Sequence, residues 1–414
     1  MRYYLFIIYC LSHTYVCSQS YSEKINTIKA EVLVQKKKID SLNVILENIQ
    51  LIEIHNELKT SLLPKIDTNE ELIAHKNLFL VYSEKHEQAK WVLHKISTNI
   101  LDGRVGRTND FRKDPLIKTG SSEEKDFFLK RKKENGKYAY EGFGFDRGHL
   151  APSADFRWSQ TALSESYFYS NMSPQRASFN REKWAELENM IRGYVYENHR
   201  DLFVYTGPIL HDQLNKIEKS INGVSIPEKF FKIVVDLEAK KAIAYIMPQE
   251  TKNYPIEYFA STINEVEEIT GIDFLYQLDE KTQQDLETQK DVLLWLPEKQ
   301  KSDVLPFEEG ILGKGKFNTI QAERFINSGK KKEICGTVVS SHLSKNGHTF
   351  LNLDKAFPHQ VFSLTIWKSN LHNFSYQPHI ELKSKKICIK GKITENKGTP
   401  TMNVENEKAI LFLN

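Results

Sequence analysis

Cysteine is scarce: four residues in 414, at Cys10, Cys17, Cys335 and Cys388. Nothing in their spacing builds a zinc site, and two of the four lie in the apolar opening stretch. Cys335 and Cys388 read either as small buried apolar residues or, in an exported chain, as one disulfide. Beyond the first residues there is no long apolar run, which excludes a transmembrane helix further along. An excess of one charge sign is also missing. The formal net charge is +3, too small to mark a nucleic-acid binder by itself. Arginine is absent from Lys330 to Asn414, where 13 lysines face 6 acidic residues. That end therefore carries +7 and the remainder about −4, which suits either an anionic partner for the tail or a solvated lysine surface.

What is present is ordinary for globular protein, with 40% hydrophobic, 27% charged and 11% aromatic residues, over a length that suggests two or three domains. The opening "MRYYLFIIYCLSHTYVCSQS" has one basic residue, an apolar run and then small polar residues. It reads as a signal peptide over residues 1–18, so the chain is expected to be exported, periplasmic or secreted, without stable membrane insertion. From Lys24 to Leu63 no glycine or proline interrupts. Ile25, Ile28, Val32, Ile39, Leu42, Leu46 and Ile49 follow three- and four-residue steps, the seam of a coiled coil. This helical segment, 19–66, could pair with a second copy as a homodimer or fold back on its own body.

A new unit begins near His75. "KNLFLVYSEKHEQAKWVLHKIS" reads as a strand, Leu78 to Tyr82, followed by an amphipathic helix bearing Ala89, Val92, Leu93 and Ile96. Leu101 to Gly144 reads as loop, and "TALSESYFYSNMSPQ" as a strand-like aromatic run. "FNREKWAELENMIRGYVYEN" is a helix, "DLFVYTGPIL", "FFKIVVDL" and "KAIAYIMPQ" are strands, and "IEYFASTINEVEEITGI" is a helix ending at Gly271. A linker spans 299–328. Five short strands follow in 329–414 and suggest a small barrel.

The chemistry gathers around "GFDRGHLAPSADFRWSQ", Gly144 to Gln160. Taken alone, Asp146 and Arg147 make a surface ion pair and His149 an ordinary loop histidine. Downstream, Asn171, Asn180 and Glu188 appear in "SNMSPQRASFNREKWAELE". Asn180 and Glu188 are eight residues apart, two helical turns plus about 80°, which puts them on broadly one side of a helix. A neutral amide with one carboxylate suits a hard divalent cation that keeps most of its waters, although Asn180 could equally cap the helix and Glu188 be solvated. Upstream, "GRTNDFRKDP" supplies Arg107 and Arg112.

The stretches "WVLHKIS", "GRTNDFRKDP", "GFDRGHLAPSADFRWSQ", "YFYSNMSPQRASFNREKWAELE" and "VYTGPIL" together resemble the DNA/RNA non-specific endonucleases. That group includes secreted bacterial nucleases and mitochondrial endonuclease G and carries a ββα-metal, or His-Me finger, site. The resemblance runs in the family's order over roughly Leu78 to Asp279. It implies an α+β fold: a nuclease domain, 67–298, with a central antiparallel sheet, preceded by the long helix and followed by an OB-like β-barrel.

It also implies roles. His149 matches the general base, a task suited to imidazole. Asn180 matches the direct ligand of a single Mg2+, with Mn2+ as the alternative. Glu188 matches the residue holding a metal-bound water, and Arg147 the group facing phosphate charge. Arg107 matches the family's upstream arginine, with Arg112 as rival. Asp146 and Asn171 are supporting residues. The basic loop with Lys130, Arg131 and Lys132, together with Arg112, could line a nucleic-acid groove or simply be solvated. In the tail, Phe350, Phe357, Phe362, Trp367 and Tyr376 are candidates for base stacking or for the core. The activity so implied is metal-dependent hydrolysis of DNA and RNA phosphodiesters. The competing readings are a catalytically inactive nucleic-acid-binding or scaffold protein, and a phosphodiesterase acting on another ester.

Overall fold

The computed structural model describes residues 2–413 except 104, 251–253, 297–301, 358 and 397, with side chains described from residue 21. The expected signal peptide, 1–18, thus lies outside the described side chains. Among the described residues no helix is long and apolar enough to cross a membrane. The chain divides into two units, Met1–Glu57 and Leu58–Asn414. The first is helical, part of α1 (Arg2–Ser61). Its seam residues Ile25, Ile28, Val32, Ile39, Leu42, Leu46 and Ile49 are all exposed.

The second unit opens with three strands, β1 (Leu72–Ala74), β2 (Leu78–Ser83) and β3 (Gln88–Ile96). A hairpin follows, β4 (Phe128–Lys132) and β5 (Tyr138–Gly142), then β6 (Asp146–His149) and α2 (Gln160–Glu165). Next come β7 (Met172–Gln175), a π-helical turn over Phe179–Lys183, and α3 (Trp184–Asn198). Strands β8 (Leu202–Pro208), β9 (Lys229–Asp236), β10 (Lys241–Pro248) and β11 (Ala260–Ser261) lead into α4 (Ile263–Thr270) and α5 (Glu280–Glu287). The main sheet runs β1-β2-β3-β8-β9-β10-β11 and is antiparallel throughout. Beside it, β6 and β7 pair as a separate ribbon that α3 follows in the chain, a ββα unit.

Several expectations fail here for physical reasons. The helix expected to carry Ala89 to Ile96 is strand β3. All but one of its nine residues are buried, and a strand covered on both faces reads as a continuous apolar run that also satisfies helical spacing. The loop expected from Leu101 to Gly144 contains the β4–β5 hairpin, whose exposed face hides strand alternation behind charge. "ENG" at the turn, with Gly136 at φ +76°, is its signal. The aromatic run "TALSESYFYSNMSPQ" begins as α2, capped by the Ser159 hydroxyl accepting from the Ala162 amide, and becomes a strand only at Met172.

In the remainder, β12 (Lys316–Asn318), within the segment expected as a linker, pairs in parallel with β13 (Lys331–Leu343). The five expected strands appear as β13, β14 (Thr349–Leu353), β15 (Phe362–Ile366), β16 (Lys386–Lys392) and, after β17 (Thr394–Asn396), β18 (Thr399–Asn403). A short α6 (Pro378–Glu381) precedes β16, and β19 (Ile410–Phe412) closes the chain. Their hydrogen bonding does not form the closed OB-like barrel expected. The ladder runs open, β17-β18-β15-β14-β13-β16-β19, because β19 takes the free edge of β16 through Ile387↔Phe412 and Ile389↔Ile410. Ile334, Leu351, Leu364, Ile389 and Met402 fill the core between the strands. Cys335 and Cys388 stand opposite each other on β13 and β16 and form a disulfide. Phe362 is core, whereas Phe357 and Trp367 are exposed.

Candidate active site

His149 ends β6, and its conformation is imposed from three sides. Gly148 before it leaves room for a buried side chain: a Cβ there would lie 2.1 Å from Gln175 Oε1 on β7. After it, the fully buried Asn171 fixes the chain. Its Oδ1 accepts from the Ala151 amide at 2.9 Å, and its Nδ2 donates to the carbonyls of Ala151 at 2.9 Å and Ser166 at 2.8 Å. The ring itself packs edge-on to Tyr167 and tilted to Phe111, centroids 5.1 and 5.6 Å away. Its Nε2 is buried and has no hydrogen-bond partner among the described residues. Burial first, then the charges of Arg107 and Arg147, push its pKa down to about 3. The imidazole is therefore neutral at neutral pH and can accept a proton.

Arg147 is held over the rings of Phe111 and Phe128, at 3.6 and 5.0 Å, and donates to the Tyr169 hydroxyl at 3.2 Å. Arg107 is exposed, with Nε on Asn109 Oδ1 at 2.8 Å, and its field reaches His149. Arg112 is committed elsewhere. It stacks on Phe168 at 4.1 Å and bonds Asp110 Oδ2 and the Ser164 carbonyl, each at 2.9 Å. Of the two rivals, Arg112 is held within its own loop, while the charge of Arg107 is felt at His149.

Asn180 sits in the π-helical turn. Its Nδ2 donates to Asp146 Oδ2 at 2.9 Å, which leaves Oδ1 to face away from that carboxylate as a ligand would need. Asp146 itself is gripped by Arg181 through two bonds of 2.8 and 2.7 Å, so it orients the amide. Glu188, two turns on, lies 4.0 Å from Arg192, which pairs with buried Asp155 at 2.7 Å; Asp155 in turn meets His94 Nε2 at 2.9 Å. Burial pushes the Glu188 carboxyl up, and the charges of Lys232 and Arg192 oppose that rise. The donor types, an amide oxygen and a largely buried carboxylate, suit a hard cation.

Lys232 was not legible as a site residue. It occupies central strand β9, 1% exposed, with Nζ on Thr206 Oγ1 at 2.6 Å and 3.5 Å from the Leu150 carbonyl. It thus lies beneath the backbone that follows His149 and supplies positive charge to Glu188. A lone lysine inside "FFKIVVDL" is the signal that could have found it, since an unpaired lysine is almost never fully buried.

Lys130, Arg131 and Lys132 lie on β4. Arg131 pairs with Glu141 at 3.2 Å, while Lys130 lies over the rings of Tyr138 and Tyr140, at 4.7 and 5.8 Å.

Comparison with known proteins gives the family. The family model for DNA/RNA non-specific endonucleases matches residues 63–281, more than half of the chain, and the chain belongs to that family; it is a nuclease. It is 29% identical to human mitochondrial endonuclease G over 220 residues, 50% of this chain and 69% of that protein. It is 28% identical to nuclease C1 of Cunninghamella echinulata over 236 residues, 53% and 88% of the two. A chain from the EndoG/EndoGI complex aligns at 25% identity with a TM-score of 0.45, covering 55% of this chain and 94% of that one.

Proposed function

We propose that the chain hydrolyses internal phosphodiester bonds of DNA and RNA, with His149 as general base. The observation that carries this reading is the unpartnered, neutral imidazole nitrogen on a backbone locked by Asn171, flanked by two arginines. In this reading His149 takes the proton of the attacking water. Arg147, stiffened by its aromatic cradle, meets the charge that builds on the pentavalent phosphate, and Arg107 adds to that field. Asn180 and Glu188 hold a divalent cation, Mg2+ or Mn2+, the carboxylate acting through a bound water. Bound there, the cation supplies charge neutralisation at the departing oxygen. Asp146 fixes the Asn180 amide, and Lys232 with Arg192 fixes Glu188.

The Cys335–Cys388 disulfide supports export to an oxidising compartment. The exposed apolar seam of α1 supports pairing of two copies through that helix. The test of the catalytic reading is cleavage of DNA and RNA with and without divalent cation, compared with His149→Ala and Asn180→Ala. Loss of cleavage by general-base removal should be about 10²–10⁴-fold.

A further inference from the structure

The β4–β5 hairpin has two faces of different chemistry. On one, register places Phe128 opposite Gly142, Lys130 opposite Tyr140 and Lys132 opposite Tyr138. On the other stand Leu129, Arg131, Ala139 and Glu141, and there the cations have a carboxylate partner: Glu141 pairs with Arg131 at 3.2 Å and with Lys219 at 2.6 Å. The first face holds no carboxylate. Lys130 and Lys132 form no ion pair among the described residues, and Tyr138 and Tyr140 are 51% and 61% exposed. Two large aromatics side by side in water, with the Lys130 ammonium against their rings and no carboxylate beside it, lower the folding free energy little. They match what a nucleic-acid strand offers, a base to stack and a phosphate to neutralise.

The face is also tied to the active site. Phe128, at its inner end, touches Tyr140 ring to ring at 5.5 Å and lies 5.0 Å from the Arg147 guanidinium. From Phe128 to Lys132 the strand advances about 13 Å, at some 3.3 Å per residue. The row thus leads outward from the arginine that faces the scissile phosphate in the proposed function, on which this inference rests.

We infer that this face of the hairpin is a stacking platform for unpaired nucleotides beside the scissile phosphate, with Tyr140 and Tyr138 receiving successive bases and Lys130 and Lys132 the phosphates between them. It gives the nuclease a preference for single-stranded or unwound substrate. In a duplex the bases are already stacked on one another, so only the lysines gain a contact.

The test uses the full chain and a labelled oligonucleotide of roughly 12 nucleotides, single-stranded or annealed to its complement. Binding is followed by fluorescence anisotropy in EDTA, so that no cleavage intervenes. The Tyr138→Ala/Tyr140→Ala double variant should bind the single strand roughly tenfold or more weakly, with a far smaller change for the duplex. The Tyr138→Trp/Tyr140→Trp variant should keep the affinity. Turnover of a small aryl phosphodiester, which has no neighbouring base, should be unchanged in both variants. Equal weakening on duplex and single strand, no weakening at all, or parallel loss of small-diester turnover would overturn the platform. If the wild-type chain turns over no diester, the hydrolytic reading fails, and the anisotropy comparison still decides the platform separately.

Discussion

At the scale of single residues, everything converges on the Nε2 of His149, a buried nitrogen without a partner. Its depressed pKa has a direct kinetic consequence. Only the neutral ring accepts a proton, and falling pH removes it. Burial and the two arginines keep the ring neutral in the free protein down to about pH 3. A bound phosphate brings negative charge that favours the imidazolium and raises that value again. The acid limb of kcat/KM, which reports the free protein, should therefore lie at lower pH than the acid limb of kcat. Rate profiles from about pH 2 to pH 8 check this, and coincident limbs near the ordinary histidine value would contradict it. Arg107→Ala removes one charge that depresses the ring, so its kcat/KM limb should move to higher pH. Arg112→Ala should leave the limb in place, because that guanidinium is spent on Phe168, Asp110 and Ser164. Lys232→Met should lower kcat by roughly tenfold or more through the groups it orients, with KM little affected; a change in KM alone would argue against a positioning role.

Elements differ in how well the sequence announces them. His149, Asn180 and Glu188 are legible because β6, the π-helical turn and α3 carry them within forty residues of one another, in a fixed order. His94, Asp155, Arg192 and Lys232 are not, because their network exists only after β3, β9 and α3 pack together. Strand β3 is misread as a helix since burial on both faces erases the two-residue alternation. The hairpin is missed for the opposite reason: both of its faces are largely exposed, and lysines and arginine interrupt the apolar positions. At this scale Gly148→Ala is informative. The added methyl would run into the buried side chain of Gln175 on β7, so that side chain must move, and its displacement is expected to disturb the β6–β7 pairing that carries His149. Activity should fall steeply while the far-ultraviolet circular dichroism stays close to wild type. A fully active Gly148→Ala chain would show that the β6–β7 register is not what aims the histidine.

Across the whole molecule, the open C-terminal sheet and the long helix are additions to the nuclease unit. The disulfide joins β13 to β16 across a sequence separation of 53 residues, a loop whose closure is worth about 4 kcal/mol in chain entropy. Cys335→Ser/Cys388→Ser should lower the stability of that sheet by an amount of this order, measured by denaturant unfolding with an intrinsic fluorescence probe. The nuclease unit has its own buried sheet, so its cleavage rate should survive the change. An unchanged unfolding midpoint would mean that the cysteines are not joined in the folded chain.

The most direct measurement is nicking of supercoiled plasmid by the purified chain in Mg2+ and in EDTA, with His149→Ala beside it. The expected result is cutting by wild type only when the cation is present, and a His149→Ala rate lower by at least about a hundredfold. A folded wild-type chain that leaves plasmid and RNA intact in Mg2+, or a His149→Ala chain that cuts as fast as wild type, would contradict the assignment of His149 as the base.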